Sequence, residues 1–283
     1  MSELEPVLVL GATSLVGRFL TPRLLETGVA FTAVSRSARS EPHWVTGDLK
    51  RPVSLAAIGT AEQVYSLSPI WLLPSALSAL RDLGMRRLVA FSSTSRFTKT
   101  EAASDYERGV AKSLADGEAA VTAFCSASGI GYTIIRPTLI YAEGLDGNVS
   151  RLAGLIRRLG LLPLPGAGRG LRQPVHASDL ADLAMLAMAA EPENRAYDAT
   201  GGETLSYRTM VERIFEGMGR TPRVVSLPEP LVGAAYALAK PLFPGSTRGM
   251  IDRINQDLVF DPDPIRAAFG WTGRDFHPSF QQR

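Results

Sequence analysis

The chain has 283 residues, of which 45% are hydrophobic and 20% charged, a balance typical of a folded protein rather than a disordered one. Its 30 basic and 28 acidic side chains give a formal net charge of +2, an excess too small to predict nucleic acid or an anionic membrane as a partner. The single cysteine, Cys125, excludes an intrachain disulfide, and its apolar neighbours predict a buried side chain.

The sequence predicts neither a secretion signal nor a membrane span. Glu3 and Glu5 precede the first apolar run, which is not the pattern of a signal peptide. The stretch that comes closest to a span, Leu231 to Phe243, is shorter than the ~18 apolar residues required and contains Lys240 and Pro241. We expect it to form a helix over a core or a ligand pocket, and we expect a cytoplasmic protein.

Short apolar runs alternate with longer helical patterns through the first half of the chain. This alternation predicts an α/β fold with a parallel sheet and helices on both faces, a doubly wound Rossmann architecture. Continuous apolar runs suit strands that are buried on both faces. The predicted strands are Val7–Leu10, Ala30–Ser35, a weaker His43–Val45, Val64–Leu67, Arg87–Ser92 and Tyr132–Arg136. The predicted helices are Leu15–Glu26, Trp71–Leu83 and roughly Glu107–Ser128.

After about residue 142 the pattern loosens, and prolines and glycines separate shorter helical segments. These predicted helices are Val149–Leu159, Ser178–Ala190, Tyr207–Met218, Pro230–Lys240 and Thr247–Asn255, and Ala196–Ala199 is a predicted late strand of the sheet. We therefore expect residues 1–141 to form the Rossmann core and residues 142–283 mainly a smaller substrate-binding region, with residues 171–200 returning to the core. Ligands of such sheets bind beyond the carboxyl ends of the strands.

The first predicted strand runs directly into a glycine-bounded turn, Gly11-Ala-Thr-Ser-Leu-Val-Gly17, and a helix follows. Gly11 permits the tight turn, and Gly17 allows the helix to pack closely on the strand. Free N–H groups at the helix start, together with the helix dipole, can hold a pyrophosphate. The predicted phosphate-binding residues are Gly11, Thr13, Ser14, Leu15, Val16 and Gly17. Ser14 replaces the usual middle glycine, and its hydroxyl can donate to a phosphate.

The end of the second strand indicates which dinucleotide is bound. A site for NAD usually has Asp or Glu there for the ribose hydroxyls, but Ser35-Arg36-Ser37 contains no acid. Arg36 suits a 2′-phosphate, with Ser35, Ser37 or Arg39 assisting, so we predict NADP(H), with NAD(H) the less favoured cofactor. The alternative interpretation is a solvated basic loop. Asp48 can accept from the adenine amino group or, equally, act as the acid at a helix start.

Several motifs follow one another in a characteristic order. They are Gly11 to Gly17, Gly47-Asp-Leu49, Ser66-Leu-Ser-Pro69, Phe91-Ser-Ser-Thr-Ser95, Arg136-Pro-Thr-Leu-Ile-Tyr141, Pro174-Val-His-Ala-Ser-Asp-Leu180 and a tail from Phe260 to Trp271. In this order they resemble the extended or atypical short-chain dehydrogenase/reductase superfamily, its NAD(P)-dependent epimerase/dehydratase branch in particular. The resemblance implies an oxidoreductase or epimerase that moves a hydride to or from a nucleotide-linked sugar or a related carbonyl compound. A small-molecule substrate and a homodimer are the expected partners, and no metal site is predicted.

The resemblance also implies site residues along the chain. Further cofactor contacts are expected from Asp48, Leu49, Ser66, Leu67, Ser68, Arg136, Pro137 and Thr138. Thr94 matches the catalytic Ser or Thr that hydrogen-bonds the reacting oxygen. The candidate substrate contacts are Tyr141, Arg172 and His176. His176 also suits a structural position at a helix start, and Arg172, with Arg169, also suits a solvated loop.

One departure from the family pattern bears on catalysis. Members of the family use Tyr-x-x-x-Lys on the helix after the fifth strand, where the tyrosine is the general acid or base and the lysine lowers its pKa. Aligning Glu118 with the acid that often follows this motif places Val110 and Leu114 at the two positions, both apolar. Either another acid replaces the pair, or the chain is an inactive NADP(H)-binding module such as a redox sensor or an accessory subunit.

Tyr106 is the predicted replacement acid because it lies near the start of the same helix. Lys112 or Lys99 would then be the accompanying cation. The alternative interpretation of Tyr106 is an exposed aromatic ring in a polar loop.

Overall fold

A seven-stranded parallel sheet organises the computed structural model, which describes residues 6–55, 58–228 and 253–280. The strands are β1 Val7–Leu10, β2 Phe31–Ser35, β3 Trp44–Thr46, β4 Gln63–Ser66, β5 Arg87–Phe91, β6 Gly131–Pro137 and β11 Arg195–Ala199. Their spatial order is β11-β6-β5-β4-β1-β2-β3, and every neighbouring pair is parallel. This is the Rossmann strand order with one strand added beyond β6, and it confirms the predicted fold class and the late strand.

Helices cover both faces of this sheet because each central strand is apolar on both sides. Along β1, Val7 and Val9 join a first core cluster, while Leu8 and Leu10 join a second cluster on the opposite face. The helices are α1 Gly17–Glu26, α2 Leu77–Asp82, α3 Ser95–Thr98, α4 Asp105–Ser128, α5 Val149–Leu159, α6 Ala177–Ala189, α7 Tyr207–Gly217 and α8 Asp263–Phe269. Cys125 is buried in the second cluster, as expected.

A third core cluster lies outside the main sheet, where α5 and α7 pack together with Tyr141 and Phe276. Three two-stranded ladders accompany it. Their strands are β7 Ile140–Tyr141 with β10 Val175–His176, β8 Leu162–Pro165 with β13 Val224–Leu227, and β9 Leu171–Arg172 with β12 Leu205–Ser206.

One predicted helix differs from the structure, and two others lie wholly or mostly outside the described residues. The segment Trp71–Leu83 is divided into 3-10 turns at Ile70–Leu72 and Pro74–Ala76 before α2 begins, since Pro74 lacks the N–H that a continuous helix needs. The predicted helix Pro230–Lys240 and most of Thr247–Asn255 lie outside the described residues, and the last three residues of the latter form a 3-10 turn. Within the described ranges, no helix is long and apolar enough to cross a membrane.

The tail, residues 260–280, connects the main sheet with the third cluster. Ile265 and Trp271 are buried in the first cluster, and Phe276 is buried in the third. Between them, Arg274 pairs with the carboxylate of Asp179 at the start of α6, with 2.5 Å between Nη2 and Oδ1. The tail therefore contributes side chains to both cores.

Gly11 is required by the close approach of two strand ends. Its φ is +73°, and a Cβ there would lie 2.7 Å from the backbone nitrogen of Ser68. Gly28 has a similar φ of +71°, but a Cβ there would meet nothing within 4 Å. We expect Gly28→Ala to lower the free energy of unfolding by about 1 kcal/mol from backbone strain alone. Gly11→Ala should lower it by a further ~1–3 kcal/mol because of overpacking.

Urea unfolding followed by circular dichroism checks this comparison. Equal destabilisation of the two variants would mean that the contact between Gly11 and Ser68 does not constrain the turn.

Candidate functional site

The turn after β1 is held by its own hydrogen bonds. The backbone N–H of Ser14 donates to the carbonyl of Gly11 at 2.8 Å, and the N–H of Gly17 donates to Ser14 Oγ at 3.1 Å. Ser14 therefore uses its oxygen as an acceptor within the turn, and its hydroxyl proton stays available to a ligand.

Three further N–H groups of this turn point to an anion site. The amides of Thr13, Leu15 and Val16 donate to no acceptor among residues 6–55, 58–228 and 253–280. They lie just before the first residue of α1, where the helix dipole favours negative charge. A pyrophosphate is the group that such a turn accommodates.

The carboxyl end of β2 lies beside this turn because β2 pairs with β1. Arg36 is exposed there, and its guanidinium has no partner in the described part of the chain. Arg39 instead lies over the ring of Trp44, with 5.1 Å from Cζ to the ring centroid. The Ser35 hydroxyl accepts from the N–H of Ser37 at 3.2 Å. Arg36 is thus the uncommitted cation at this strand end.

Asp48 holds its own turn: Oδ1 accepts from the N–H of Lys50 at 3.0 Å, and its N–H donates to Ser54 Oγ at 2.9 Å. Leu49 is buried in the second cluster. A contact of either residue with an adenine stays a prediction.

A buried hydroxyl without a partner lies at the end of β4. Ser66 is 1% exposed, and its Oγ has no hydrogen-bond partner among the described residues. Leaving such a group unsatisfied costs about 1–3 kcal/mol, so a ligand that bonds it would be stabilised. Leu67 and Ser68, which follow, are the residues packed against Gly11. The free amides of the turn and the Ser66 hydroxyl together fit a dinucleotide.

Arg136 is committed to other protein groups. Its Nη2 lies 2.6 Å and its Nε 3.0 Å from the carboxylate of Glu118, and Asp198 lies 3.6 Å from Nη1. The guanidinium therefore links β6 to α4 and β11. The two residues after Arg136 are also hydrogen-bonded within the protein. The Pro137 carbonyl accepts a hydrogen bond from the Thr94 hydroxyl, and the Thr138 hydroxyl donates one to the carbonyl of Gln173.

A cavity of about 640 Å³ opens beyond the carboxyl ends of β5 and β6. Its walls come from the segment after β5, the start of α4, the residues after β6, α5, α7 and the chain from residue 253 onwards. Much of the lining is apolar, from Leu139, Ile140, Val149, Leu152, Leu155, Met210, Ile254, Leu258 and Phe260. Thr94 and Tyr106, the two predicted catalytic residues, line the same cavity.

The hydroxyl of Thr94 already has an acceptor. It is 6% exposed, and its Oγ1 donates to the carbonyl of Pro137 at 3.1 Å. A hydroxyl has one proton, so Thr94 in this arrangement can accept a hydrogen bond from a ligand but has no second proton to give. Tyr106 is 75% exposed. Their catalytic roles stay predictions.

The two positions assigned to the missing catalytic pair do not line the cavity. Leu114 is buried in the second core cluster, and Val110 packs against the same cluster. Lys112 is exposed, pairs with Asp116 at 2.5 Å and lies outside the cavity lining.

Three charged side chains that the sequence did not predict to lie together form a cluster in the cavity wall. Glu107 is 3% exposed, and Arg253 binds both of its carboxylate oxygens, at 2.5 and 3.0 Å. Lys99 Nζ lies 3.8 Å from Glu107 Oε1. All three residues line the cavity. Burial lowers the pKa of Lys99; Glu107 raises it in part, and Arg253 lowers it again.

Two predicted substrate contacts lie in the interior rather than in the cavity lining. Tyr141 is fully buried, its ring against Phe276 and His176. His176 caps α6, because its Nδ1 accepts from the N–H of Ser178 at 3.1 Å, and its Nε2 lies 3.2 Å from Glu143. This arrangement corresponds to the structural alternative for His176.

Arg172 lines the cavity, but its guanidinium is occupied by main-chain carbonyls. Nη1 donates to Leu171 and to Gln256 at 2.7 Å each, and Nη2 donates to Arg253 at 2.5 Å. These bonds attach the segment after residue 252 to β9. Arg169, the neighbouring cation for which a solvated loop is the alternative, is exposed and does not line the cavity.

A sequence profile of the NAD dependent epimerase/dehydratase family matches residues 7–67 and 74–199. The chain belongs to this family. The match confirms the resemblance drawn from the motifs, and it makes this family member an NAD(P)-dependent epimerase or reductase.

Among known proteins, this family member is 26% identical to the NAD(P)H azoreductase of Xenophilus azovorans over 83% of its own length and 87% of that protein's. Its fold is similar to that of the Thermotoga maritima UDP-glucose 4-epimerase solved with UDP-glucose, with a TM-score of 0.72 and 14% identity over 95% and 93% of the two chains. It is also similar to the Thermus thermophilus UDP-glucose 4-epimerase in complex with NAD, with a TM-score of 0.67 and 18% identity over 95% and 94%.

The bonds of Arg172 predict a structural effect of its removal. We expect Arg172→Met to lower the free energy of unfolding by about 2–4 kcal/mol, since hydrogen bonds to a charged group contribute about 1.5–3 kcal/mol and the carbonyls would be left buried. Arg169→Met should change it by less than about 0.5 kcal/mol. Urea unfolding of both variants measures the difference. If Arg172→Met were as stable as Arg169→Met, the guanidinium would not secure the cavity wall.

Proposed function

We propose that this family member is an NADP(H)-dependent oxidoreductase whose substrate is a carbonyl compound with an apolar body. The observation that carries the proposal is the largely apolar cavity, which lies beyond the carboxyl ends of β5 and β6 and contains Thr94. In open α/β sheets this is the edge at which ligands bind. A volume of about 640 Å³ suits a small-molecule ligand.

The residues around the phosphate turn would hold the cofactor. The N–H groups of Thr13, Leu15 and Val16 would bind the pyrophosphate, and the Ser66 hydroxyl would bind the ribose nearest the cavity. When bound, a nicotinamide supplies or accepts a hydride. The uncommitted guanidinium of Arg36 supports NADP(H), since a 2′-phosphate provides the charge-assisted partner that it lacks.

The apolar lining of the cavity favours a carbonyl compound over a nucleotide-linked sugar. A diphosphate needs cations to bind it, and two of the four cations in the described lining are engaged, Arg172 with main-chain carbonyls and Arg253 with the carboxylate of Glu107. The other two are Lys99 and Arg151. The Xenophilus azovorans relative, an NAD(P)H azoreductase, supports a reductase among the activities of the family. A nucleotide-linked sugar is the second candidate substrate, and the similarity in fold to two UDP-glucose epimerases supports it.

This proposal assigns cofactor binding and substrate binding to different parts of the chain. Residues 1–141 would bind the cofactor, and residues 142–283 would mainly bind substrate, with residues 171–200 belonging to the core. The acid that replaces the missing tyrosine would come from the cavity lining, where Tyr106 and Lys99 are the candidates. A cytoplasmic location and a homodimer stay predictions.

Cofactor preference tests the position of Arg36. We expect the intact protein to bind NADPH roughly ten- to a hundredfold more tightly than NADH, because a charge-assisted contact contributes about 1.5–3 kcal/mol. Arg36→Ala should remove most of this preference while leaving the Kd for NADH within about threefold. Arg81→Ala, which alters a surface arginine paired with Asp82, is the charge-matched control. Equal affinities for the two dinucleotides in the intact protein would contradict the assignment of Arg36.

Substrate class is tested by filling the cavity. We expect NADPH oxidation with aromatic and long-chain ketones or aldehydes, and Leu152→Trp should raise their KM roughly five- to 150-fold, since overpacking costs about 1–3 kcal/mol. Leu159→Trp, at the exposed end of the same helix, should leave the KM unchanged.

The same assay separates the remaining candidates. Turnover only with nucleotide-linked keto sugars would favour the second candidate. Tight NADPH binding with no turnover on any compound would favour an inactive binding module.

A further inference from the structure

Reduction of a carbonyl requires a proton for the oxygen as well as a hydride for the carbon. Several groups in the described lining of the cavity carry protons, and three of them are engaged. The Thr94 hydroxyl donates to Pro137, the Arg172 guanidinium to main-chain carbonyls and the Arg253 guanidinium to Glu107. The remaining question is which lining group can release a proton inside the cavity.

Lys99 has the position and the chemistry for this. Lys99 directly follows the last residue of α3, and Thr94 directly precedes the first residue of the same short helix. Both side chains line the same cavity, and only the four residues of α3 separate them along the chain. An ammonium carries three protons, and Glu107 Oε1, at 3.8 Å, is its one ion-pair partner in the described part of the chain.

Burial makes the ammonium of Lys99 more acidic, while its ion pair with Glu107 keeps it in place. Glu107 is itself buried and is shared with Arg253. Burial is the largest influence and lowers the pKa of Lys99; the carboxylate of Glu107 opposes this decrease, and Arg253 adds to it. A general acid is most effective when its pKa lies near the working pH. The other ionisable groups lining the cavity are Tyr106, Arg151, Arg172 and Tyr207.

We propose that Lys99 is the proton donor of this enzyme, positioned by Glu107 and Arg253, in place of the tyrosine that the family uses. The proposal rests on the proposed oxidoreductase function. As the carbonyl carbon accepts the hydride, the C–O π bond breaks and its electron pair moves to the oxygen. The oxygen then takes a proton from Lys99 Nζ, which is left as a neutral amine and regains a proton from water. In the reverse direction the neutral amine accepts the proton of the alcohol.

The first test uses the protein without cofactor. The chain contains only four lysines, so acetylation by a pulse of acetic anhydride at a series of pH values can be resolved site by site by mass spectrometry. We expect the midpoint of Lys99 labelling to lie below that of Lys112, which is 77% exposed in its side chain. Glu107→Gln should lower the midpoint of Lys99 further, because it removes the charge that favours the ammonium. A midpoint of Lys99 at or above that of Lys112 would overturn the proposal.

The second test is kinetic and uses a carbonyl substrate found in the assay above. Lys99→Met should lower kcat by roughly 10²–10⁴-fold, with the Kd for NADPH within threefold of that of the intact protein. Lys99→Arg should be similarly slow, because a guanidinium keeps the charge but does not release a proton at neutral pH. Lys50→Met, which alters an exposed lysine outside the cavity lining, is the matched control and should keep the kcat of the intact protein. Thermal unfolding of all three variants controls for folding.

The outcomes separate this proposal from the function on which it depends. If the intact protein reduces carbonyl compounds and Lys99→Met does so at the same kcat, Lys99 is not the donor and the function stands. If Tyr106→Phe loses the activity that Lys99→Met retains, the donor is Tyr106. If the intact protein reduces no carbonyl compound, the proposed function and this proposal both fail.

Discussion

The geometry of the site depends on the hydrogen bonds and ion pairs that the buried carboxylate of Glu118 makes. It accepts from Ser92, at the end of β5, at 2.5 Å, from Arg136 on β6 at 2.6 Å, and from Arg96 on α3. A single side chain of α4 therefore fixes the ends of two neighbouring strands and the short helix between Thr94 and Lys99. Removing one partner from such a buried ionic group typically costs about 3–5 kcal/mol. The charge cannot be deleted alone without loosening the rim of the cavity.

This network also gives a physical account of the apolar residues at the two positions of α4, Val110 and Leu114, that the sequence predicts for the family's Tyr and Lys. Two neighbouring residues of α4 hold the helix against the rest of the domain. Glu118 binds the sheet, and Gly117 packs so closely on Trp71 that a Cβ at Gly117 would lie 3.0 Å from the Trp71 backbone. Val110 and Leu114 extend that packing towards the helix start. The cavity is lined instead by the first turn of α4, through Tyr106 and Glu107, and by α3.

The elements that sequence reasoning predicted best are those whose causes are local. The strand, turn and helix from Val7 to Glu26 follow from an apolar run, two glycines and the spacing between them. The helix Val149–Leu159 agrees with its predicted bounds, because its apolar positions recur at helical spacing and Gly160 ends it with a φ of +71°. The predicted helix Trp71–Leu83 is too long, because its apolar residues have helical spacing but Pro74 interrupts the helix.

The parts of the site that were missed depend on contacts between distant residues. Arg253 and Glu107 are 146 positions apart, and no pattern in either segment indicates the other. Arg172 is a predicted substrate contact, but its guanidinium binds main-chain carbonyls, two of them more than 80 positions later in the chain. Lys99 entered only as a companion to Tyr106, since a sequence does not show which cation is buried.

The tail that joins the two cores has a consequence for how the protein is made. Chains are synthesised from the N-terminus, and domains generally fold as units while synthesis proceeds. Here Ile265 and Trp271 complete the core of the sheet, and Phe276 completes the cluster of α5 and α7. The core of the sheet lacks two of its buried side chains until residue 271 has left the ribosome, and the cluster of α5 and α7 lacks Phe276 until residue 276 has. The nascent chain therefore carries two incomplete apolar surfaces until the tail has been synthesised.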